Sequence, residues 1–393
     1  MAIEGESGKN GRRLRLGMVG GGQGAFIGGV HRIAARLDDR YELVAGALSA
    51  DPAKAKASAV ELRIAPERAY GSFAEMAAEE KARADGIDVV AIVTPNHVHH
   101  PAAKAFLEAG IHVICDKPMT TSLEDALDLV ATVKRTGLVF GLTHNYTGFP
   151  MVREARERVL SGELGEIRVI QAEYPQDWLT TRLEETGQKQ AAWRTDPARS
   201  GGGAIGDIGS HAFNLAAFVT GLEAEQLCAD LSTFVAGRRV DDNCNILLRY
   251  TGGARGMLWA SQVAPGNDNA LRIRIFGDKG GLAWHQEHAD FLELFPLGKP
   301  PQKIIRAHSR TGKSAARVTR IPPGHVEGYL EGFANIYSDC AELITAKLEN
   351  RSPDPGATLV PTVEDGAKGV KFITAAIDSS ARGGVWTDLG LKL

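Results

Sequence analysis

From residue 14 onward, short apolar runs alternate with stretches whose apolar positions recur every three or four residues. The runs at 14–19, 41–48, 88–93, 112–115 and 138–142 read as strands. Between them, 28–37, 52–62, 73–81, 97–109 and 122–134 read as amphipathic helices. Strand-helix alternation of this kind predicts a parallel sheet covered on both faces, a doubly wound Rossmann-type domain. After Tyr146 the pattern changes. A helix at 150–160, an irregular polar stretch around 178–200 and a helix at 210–219 accompany strand-like segments at 167–174, 228–235, 244–250, 255–262, 271–276 and 281–284. Turn signals such as Thr251-Gly252-Gly253 join several of these in series, which predicts a large, mostly antiparallel open sheet in an α+β second domain. Closing helices are expected at 329–348 and 365–380. The fold class is α/β, with a polar tail at 1–13, the Rossmann-type domain at 14–146 and a second domain at 147–393.

Composition leaves this picture unchanged. With 393 residues, 44% hydrophobic and 24% charged, the chain is long enough for two cored domains. A formal net charge of −3 offers no basic stripe for nucleic acid and no polybasic patch for a membrane surface, so a small-molecule partner is expected. Cys115, Cys228, Cys244 and Cys340 form no C-x-x-C pair, so neither a metal site nor a disulfide framework is expected. Arg12 and Arg13 precede only a short strand-like run, without the apolar region of an export signal. No apolar run approaches the roughly eighteen residues of a membrane span, and the expected location is cytoplasmic. The basic segment 298–320 reads as a solvated loop.

Candidate chemistry lies at the ends of the strands. Gly20-Gly21-Gly22-Gln23-Gly24 follows the first strand and leads into a helix, the context in which glycines admit a pyrophosphate close to the backbone. The glycine expected to pack helix on strand is Gly28, three residues later than usual. The acid expected at the end of the second strand is missing or displaced, since the chain there reads Leu48-Ser49-Ala50-Asp51. Ser49, helped by Lys54, suits a 2′-phosphate and Asp51 an unphosphorylated ribose; NAD is favoured, with NADP the alternative. Thr94-Pro95-Asn96 ends another strand, where the backbone is expected to face the nicotinamide ribose; His99 is either a further cofactor contact or a cap or packing residue. Asp116-Lys117-Pro118 puts a lysine where it can polarise a carbonyl or an alcohol, unless it is an ordinary surface lysine. Three glycines, Gly201-Gly202-Gly203, lead to Asp207 and His211, four residues apart and on one face if a helix begins near Asp207. The pair is either a general base with its orienting carboxylate or a helix cap with a packed histidine.

Together these motifs resemble the glucose-fructose oxidoreductase, inositol dehydrogenase and MocA-like (Gfo/Idh/MocA) family. The glycine turn ending Gly28-Gly29-Val30-His31, the Thr94-Pro95-Asn96 strand end, Asp116-Lys117-Pro118 in place of Glu-Lys-Pro, and Gly201-Gly202-Gly203 with Asp207-x-x-x-His211 agree in order and spacing. The resemblance implies reversible oxidation of a hydroxyl on a sugar, cyclitol or related polyol, with NAD or NADP taking the hydride. By the same resemblance Lys117 contacts nicotinamide and substrate, His211 takes the hydroxyl proton, and Asp207 orients or contacts substrate. Cofactor contacts are expected from Gly20, Gly22, Gln23, Gly28, Ser49, Asp51, Thr94, Pro95, Asn96, His99, Asp116 and Lys117. Substrate contacts are expected from Lys117, Tyr146, Trp178, Arg194, Asp207, His211 and His325. No metal is implied. The second domain would bind substrate and associate through its open sheet, as a homodimer or homotetramer. Two rivals keep the same parts: a glycoside hydrolase using transient oxidation, and a non-catalytic dinucleotide sensor. Departures fall at the longer glycine turn, the missing ribose acid, Asn214 where many relatives carry aspartate, and Thr147 where many carry arginine.

Overall fold

The computed structural model describes residues 12–393; most of the expected N-terminal tail, through residue 11, lies outside the described residues. The chain divides into two compact units. The first comprises residues up to Thr120, Glu124–Gly148 and Tyr329–Gly366. Its five strands are β1 (Leu14–Gly20), β2 (Tyr41–Ala47), β3 (Val89–Val93), β4 (His112–Cys115) and β5 (Phe140–Leu142), all parallel in the order β2-β1-β3-β4-β5. Every residue of β3 is buried, as a strand covered on both faces requires. The strand order reverses direction between β1 and β3, and open α/β sheets bind ligands outside the carboxyl ends of strands at such a point.

This unit also takes in the helix Tyr329–Leu348, which the sequence pattern grouped with the second domain. Tyr337 explains the attachment. Its hydroxyl meets His31 Nδ1 at 2.8 Å, and its carbonyl accepts the Tyr41 hydroxyl at 2.7 Å. Gly141 on β5 has no side chain because Cys340 Sγ lies 2.3 Å from where a Cβ would stand. Phe333, Ile336, Cys340 and Ile344 join one core cluster with Leu16, Val89 and Ile114.

The second unit is Thr121–Leu123, Phe149–Gly328 and Ala367–Leu393. Its nine strands are β6 (Ile167–Pro175), β7 (Ala224–Ser232), β8 (Asn243–Tyr250), β9 (Arg255–Ser261), β10 (Arg272–Gly277), β11 (Gly280–His285), β12 (Phe291–Pro296), β13 (Gln302–Ile305) and β14 (Thr387–Asp388). They form one sheet, β13-β12-β11-β10-β6-β9-β8-β7-β14. The sheet is antiparallel except for β6 beside β9. Burial alternates along β8 and β9, so one face carries the core and the other carries exposed Leu247 and Met257. The core face packs on helices Pro150–Leu160 and Ser210–Thr220, and Phe213 of the latter stacks on Phe372 at 4.2 Å.

The reading of 298–320 as a solvated loop is corrected. The segment includes β13, paired with β12, and a helical turn at Lys313–Arg317, and it buries Ile304, Ala315 and Val318. Arg306 is 1% exposed because its charge is consumed locally: it donates to Asp290 at 2.6 Å, Glu327 at 2.9 Å and the Ile321 carbonyl at 2.8 Å. The four cysteines are free thiols, and among the described residues no helix is long and apolar enough to cross a membrane.

Candidate active site

In the first unit the glycine turn closes β1 against its helix, Phe26–Leu37. Gly20, Gly21 and Gly24 have φ of 80°, 71° and 74°, a region that L side chains rarely adopt. A Cβ on Gly28 would stand 2.4 Å from Gly21 Cα, so Gly28 is where helix and strand touch despite the longer turn. A Cβ on Gly22 would lie 2.6 Å from the Leu48 carbonyl and 2.7 Å from Ser58 Oγ. Ser58 also accepts the Gln23 N–H at 3.0 Å, fixing the turn to the helix Pro52–Glu61. Gln23 donates to Glu61, and both line a cleft with Arg32 and Phe26.

At the end of β2, Asp51 is the N-cap of Pro52–Glu61, accepting the Lys54 N–H at 3.1 Å, and Ser49 Oγ accepts the Asp51 N–H at 3.1 Å. At the end of β3, Thr94 packs on Gly20 and Asn96 is buried. His99 is 1% exposed, with Nδ1 2.9 Å from the Pro118 carbonyl and Nε2 2.9 Å from the Thr94 carbonyl. His99 thereby ties together the loops after β3 and β4.

Beyond β4, Asp116 Oδ1 accepts the Lys117 N–H at 2.8 Å and the Thr143 hydroxyl at 2.9 Å. Burial alone would raise the Asp116 carboxyl, but His31, Lys117 and His99 together with the Lys117 N–H hold it below the usual range. Lys117 thus sits beside a carboxylate that stays charged. Tyr146 is 3% exposed, its ring edge-on to Tyr329 at 6.5 Å. Asn145 Nδ2 is buried with no protein partner among the described residues, a donor available to a ligand.

In the second unit the helical segment starts earlier and wider than expected. Ile205–Gly209 forms a π turn that runs into the α-helix Ser210–Thr220, and such turns recur at functional sites. Asp207 lies in the wide turn and His211 in the first turn of the regular helix. Asp207 Oδ2 receives Arg194 Nε at 3.2 Å and Gln262 Nε2 at 2.8 Å, and the Arg194 guanidinium lies over the Trp193 ring at 4.4 Å. His211 is 7% exposed, and its ring centroid is 6.2 Å from that of Tyr174. Trp178 donates to Gln176 at 3.0 Å, Gln176 donates to Asn269 at 2.6 Å, and the Tyr174 hydroxyl donates to the same Asn269 oxygen at 2.7 Å. Three residues after His211, Asn214 keeps a buried carboxamide oxygen with no protein partner among the described residues. His325 lies exposed on the loop that Arg306 grips through the His325 carbonyl.

Gln262 was not anticipated: it stands 55 residues from its partner Asp207, with no local motif to mark it. Ser58 and Gln176 were likewise silent. Tyr174 had one available signal, its place at the end of a recognisable strand.

Residues 14–144 match the model of an oxidoreductase family with an NAD-binding Rossmann fold, and residues 152–283 match the GFO/IDH/MocA C-terminal domain. An oxidoreductase structure from Sinorhizobium meliloti is 53% identical, with a TM-score of 0.88, covering 95% of this chain and 99% of that one. An inositol dehydrogenase homologue from Azotobacter vinelandii, complexed with NADH and myo-inositol, is 33% identical, with a TM-score of 0.89 and coverage of 96% and 98%. Levoglucosan dehydrogenase of Pseudarthrobacter phenanthrenivorans is 27% identical over 96% of this chain and 98% of its own length. From its strand-end motifs to its second sheet, the chain belongs to the Gfo/Idh/MocA family of oxidoreductases, and its parallel sheet is the family's NAD-binding Rossmann fold.

Proposed function

We propose that this enzyme reversibly oxidises a hydroxyl of a cyclitol or sugar, with NAD rather than NADP as the dinucleotide. The observation that carries the reading is the second unit's arrangement, in which His211 follows an Asp207 carboxylate held by both Arg194 and Gln262. A polyol offers many hydroxyl donors and acceptors, and the spare Asn214 oxygen, in the same unit as Asp207 and His211, suits such a ligand.

The residues present fit a dinucleotide. Gly21–Ala25 line a cleft at the start of the helix Phe26–Leu37, and Ala25 gives that helix no side-chain cap, so its first N–H groups suit a pyrophosphate. When bound, the dinucleotide supplies the hydride acceptor. His211 takes the hydroxyl proton as its carbon is oxidised, Asp207 fixes the orientation of the polyol, and the Lys117 ammonium stabilises negative charge developing on the substrate oxygen. Preference for NAD is supported by Asp51 after β2, a carboxylate suited to an unphosphorylated ribose, and by the Azotobacter vinelandii homologue solved with NADH.

Lys117→Ala and His211→Ala are each expected to lower kcat by at least about 100-fold, roughly 2.7 kcal/mol of barrier, while NADH binding by fluorescence stays within a few-fold. Cyclitols and sugars assayed with NAD and NADP provide the turnover. Near-normal kcat in both variants, or preference for NADP, overturns the corresponding part of the reading.

The exposed face of the second sheet is assigned to self-association as a homodimer or homotetramer. Leu247 (49% exposed) and Met257 (44% exposed) stand together across paired strands there. Leu247→Glu with Met257→Glu is expected to reduce the sedimenting mass to that of one chain; an unchanged mass excludes this face.

A further inference from the structure

Three successive backbone N–H groups in the turn before His211 end on one residue that the sequence did not single out. Gly203 N–H donates to Asp241 Oδ1 at 2.8 Å, Ile205 N–H to Asp241 Oδ2 at 2.7 Å, and Ala204 N–H to the Asp241 carbonyl at 2.9 Å. The approach is close: a Cβ on Gly203 would stand 1.8 Å from that carbonyl oxygen. These groups lie at the start of a helical segment, where N–H groups have no acceptor within the helix and must find one elsewhere.

The neighbouring residue extends the grip. Asp242 is fully buried and accepts from Phe234 N at 2.9 Å and Val235 N at 3.0 Å, with Arg238 Nη1 at 3.3 Å. Its carbonyl accepts the Gln262 N–H at 2.8 Å, and Gln262 in turn holds Asp207. Residues 241 and 242 therefore reach the Asp207 and His211 segment by two routes, through its backbone and through the Gln262 side chain.

We propose that Asp241 is a positioning residue, setting the register of the Gly201–Ile205 turn and thereby the placement of Asp207 and His211. The inference rests on the reading of those two residues as the substrate-facing pair. A carboxylate is required because two N–H groups converge on its two oxygens; a carboxamide offers one acceptor and turns an N–H₂ toward the other donor. Burial pushes the Asp241 carboxyl up to about 6 against the pull of Ile205 and Gly203 N–H, so at neutral pH the charged, doubly accepting form prevails.

The test uses the full chain, Asp241→Ala and Asp241→Asn, with two readouts that need no substrate. Hydrogen exchange of the peptide at 201–211 is expected to accelerate at least about tenfold in Asp241→Ala, with parallel-sheet peptides unchanged. The His211 ring signal, identified in a ¹³C-histidine-labelled sample by its loss in His211→Gln, is expected to shift in Asp241→Ala and to move part of the way back in Asp241→Asn. Unchanged exchange and an unmoved His211 signal in both variants overturn the proposal. If Asp241→Ala does not fold, Asp241→Asn, which preserves volume and one acceptor, decides on the same readouts. A His211 signal that moves with Asp241 in a chain whose turnover ignores His211→Gln keeps the positioning role and discards the proposed chemistry.

Discussion

The 2.4 Å between a would-be Cβ on Gly28 and Gly21 Cα leaves no flexible side chain to yield, since both sides are backbone. Gly28→Ala must therefore lift the helix Phe26–Leu37 from β1 and open the turn. We expect a loss of about 1–3 kcal/mol in stability and a rise of at least about tenfold in the NADH dissociation constant, read by thermal melting and fluorescence titration. An unaltered dissociation constant would show that the turn does not depend on this contact. Gly28 was legible from sequence because an inserted turn still needs one glycine where helix meets strand. Lys117 stands out in the sequence because it follows closely on the end of β4. Gln262 and Asp241 were not: their partners are fixed by sheet register and by a turn distant in sequence, and neither leaves a periodic trace. His99 was readable in two ways, and the two carbonyls that its nitrogens meet belong to separate loops, information that exists only after folding.

At the scale of elements, the helix Tyr329–Leu348 shows what periodicity conveys and what it omits. Its limits were legible to the residue, but the unit it joins was not, because an apolar stripe states how much surface must be buried and never against what. The Tyr337 hydroxyl on His31 Nδ1 is part of that attachment, so Tyr337→Phe is expected to lower stability by about 1 kcal/mol in urea unfolding, with the fold retained. No measurable loss would place the whole attachment in apolar packing. β12 and β13 were missed because prolines, glycine and lysines around 296–303 mimic loop composition; Leu292 and Leu294 are nevertheless buried on alternate positions. The wide turn at Ile205–Gly209 shifted the helix start ahead of Asp207, a change of hydrogen-bonding ring size that residue type does not announce.

For the molecule as a whole, acid sensitivity follows from histidines enclosed in the parallel-sheet unit. Burial lowers His31 and His112 to about 4 and His144 to about 3, while in the unfolded chain each titrates near the ordinary value of about 6.5. Between those limits the unfolded state binds more protons, so stability rises with pH there and is lost as pH falls from about 6.5 toward 4. Asp241, with its carboxyl raised to about 6, acts in the opposite sense over about pH 4–6, but it is outnumbered by the buried histidines. Urea midpoints measured from pH 7 to 4 are expected to fall, and His112→Asn, whose carboxamide oxygen can still accept the Val139 N–H, should flatten the slope; a flat wild-type profile would contradict this account.

The division of the chain also bears on its synthesis. Leu14, Leu16 and Met18 are synthesised long before Phe333, Tyr337, Ile344 and Val360, with which they share one core. While those partners are still untranslated, the nascent parallel sheet carries an uncovered apolar flank through the making of nearly the whole second unit. A prematurely terminated product ending near Gly148 would keep every dinucleotide motif of the first unit and still lack the helix that seals it, making such fragments natural clients of chaperones and proteases.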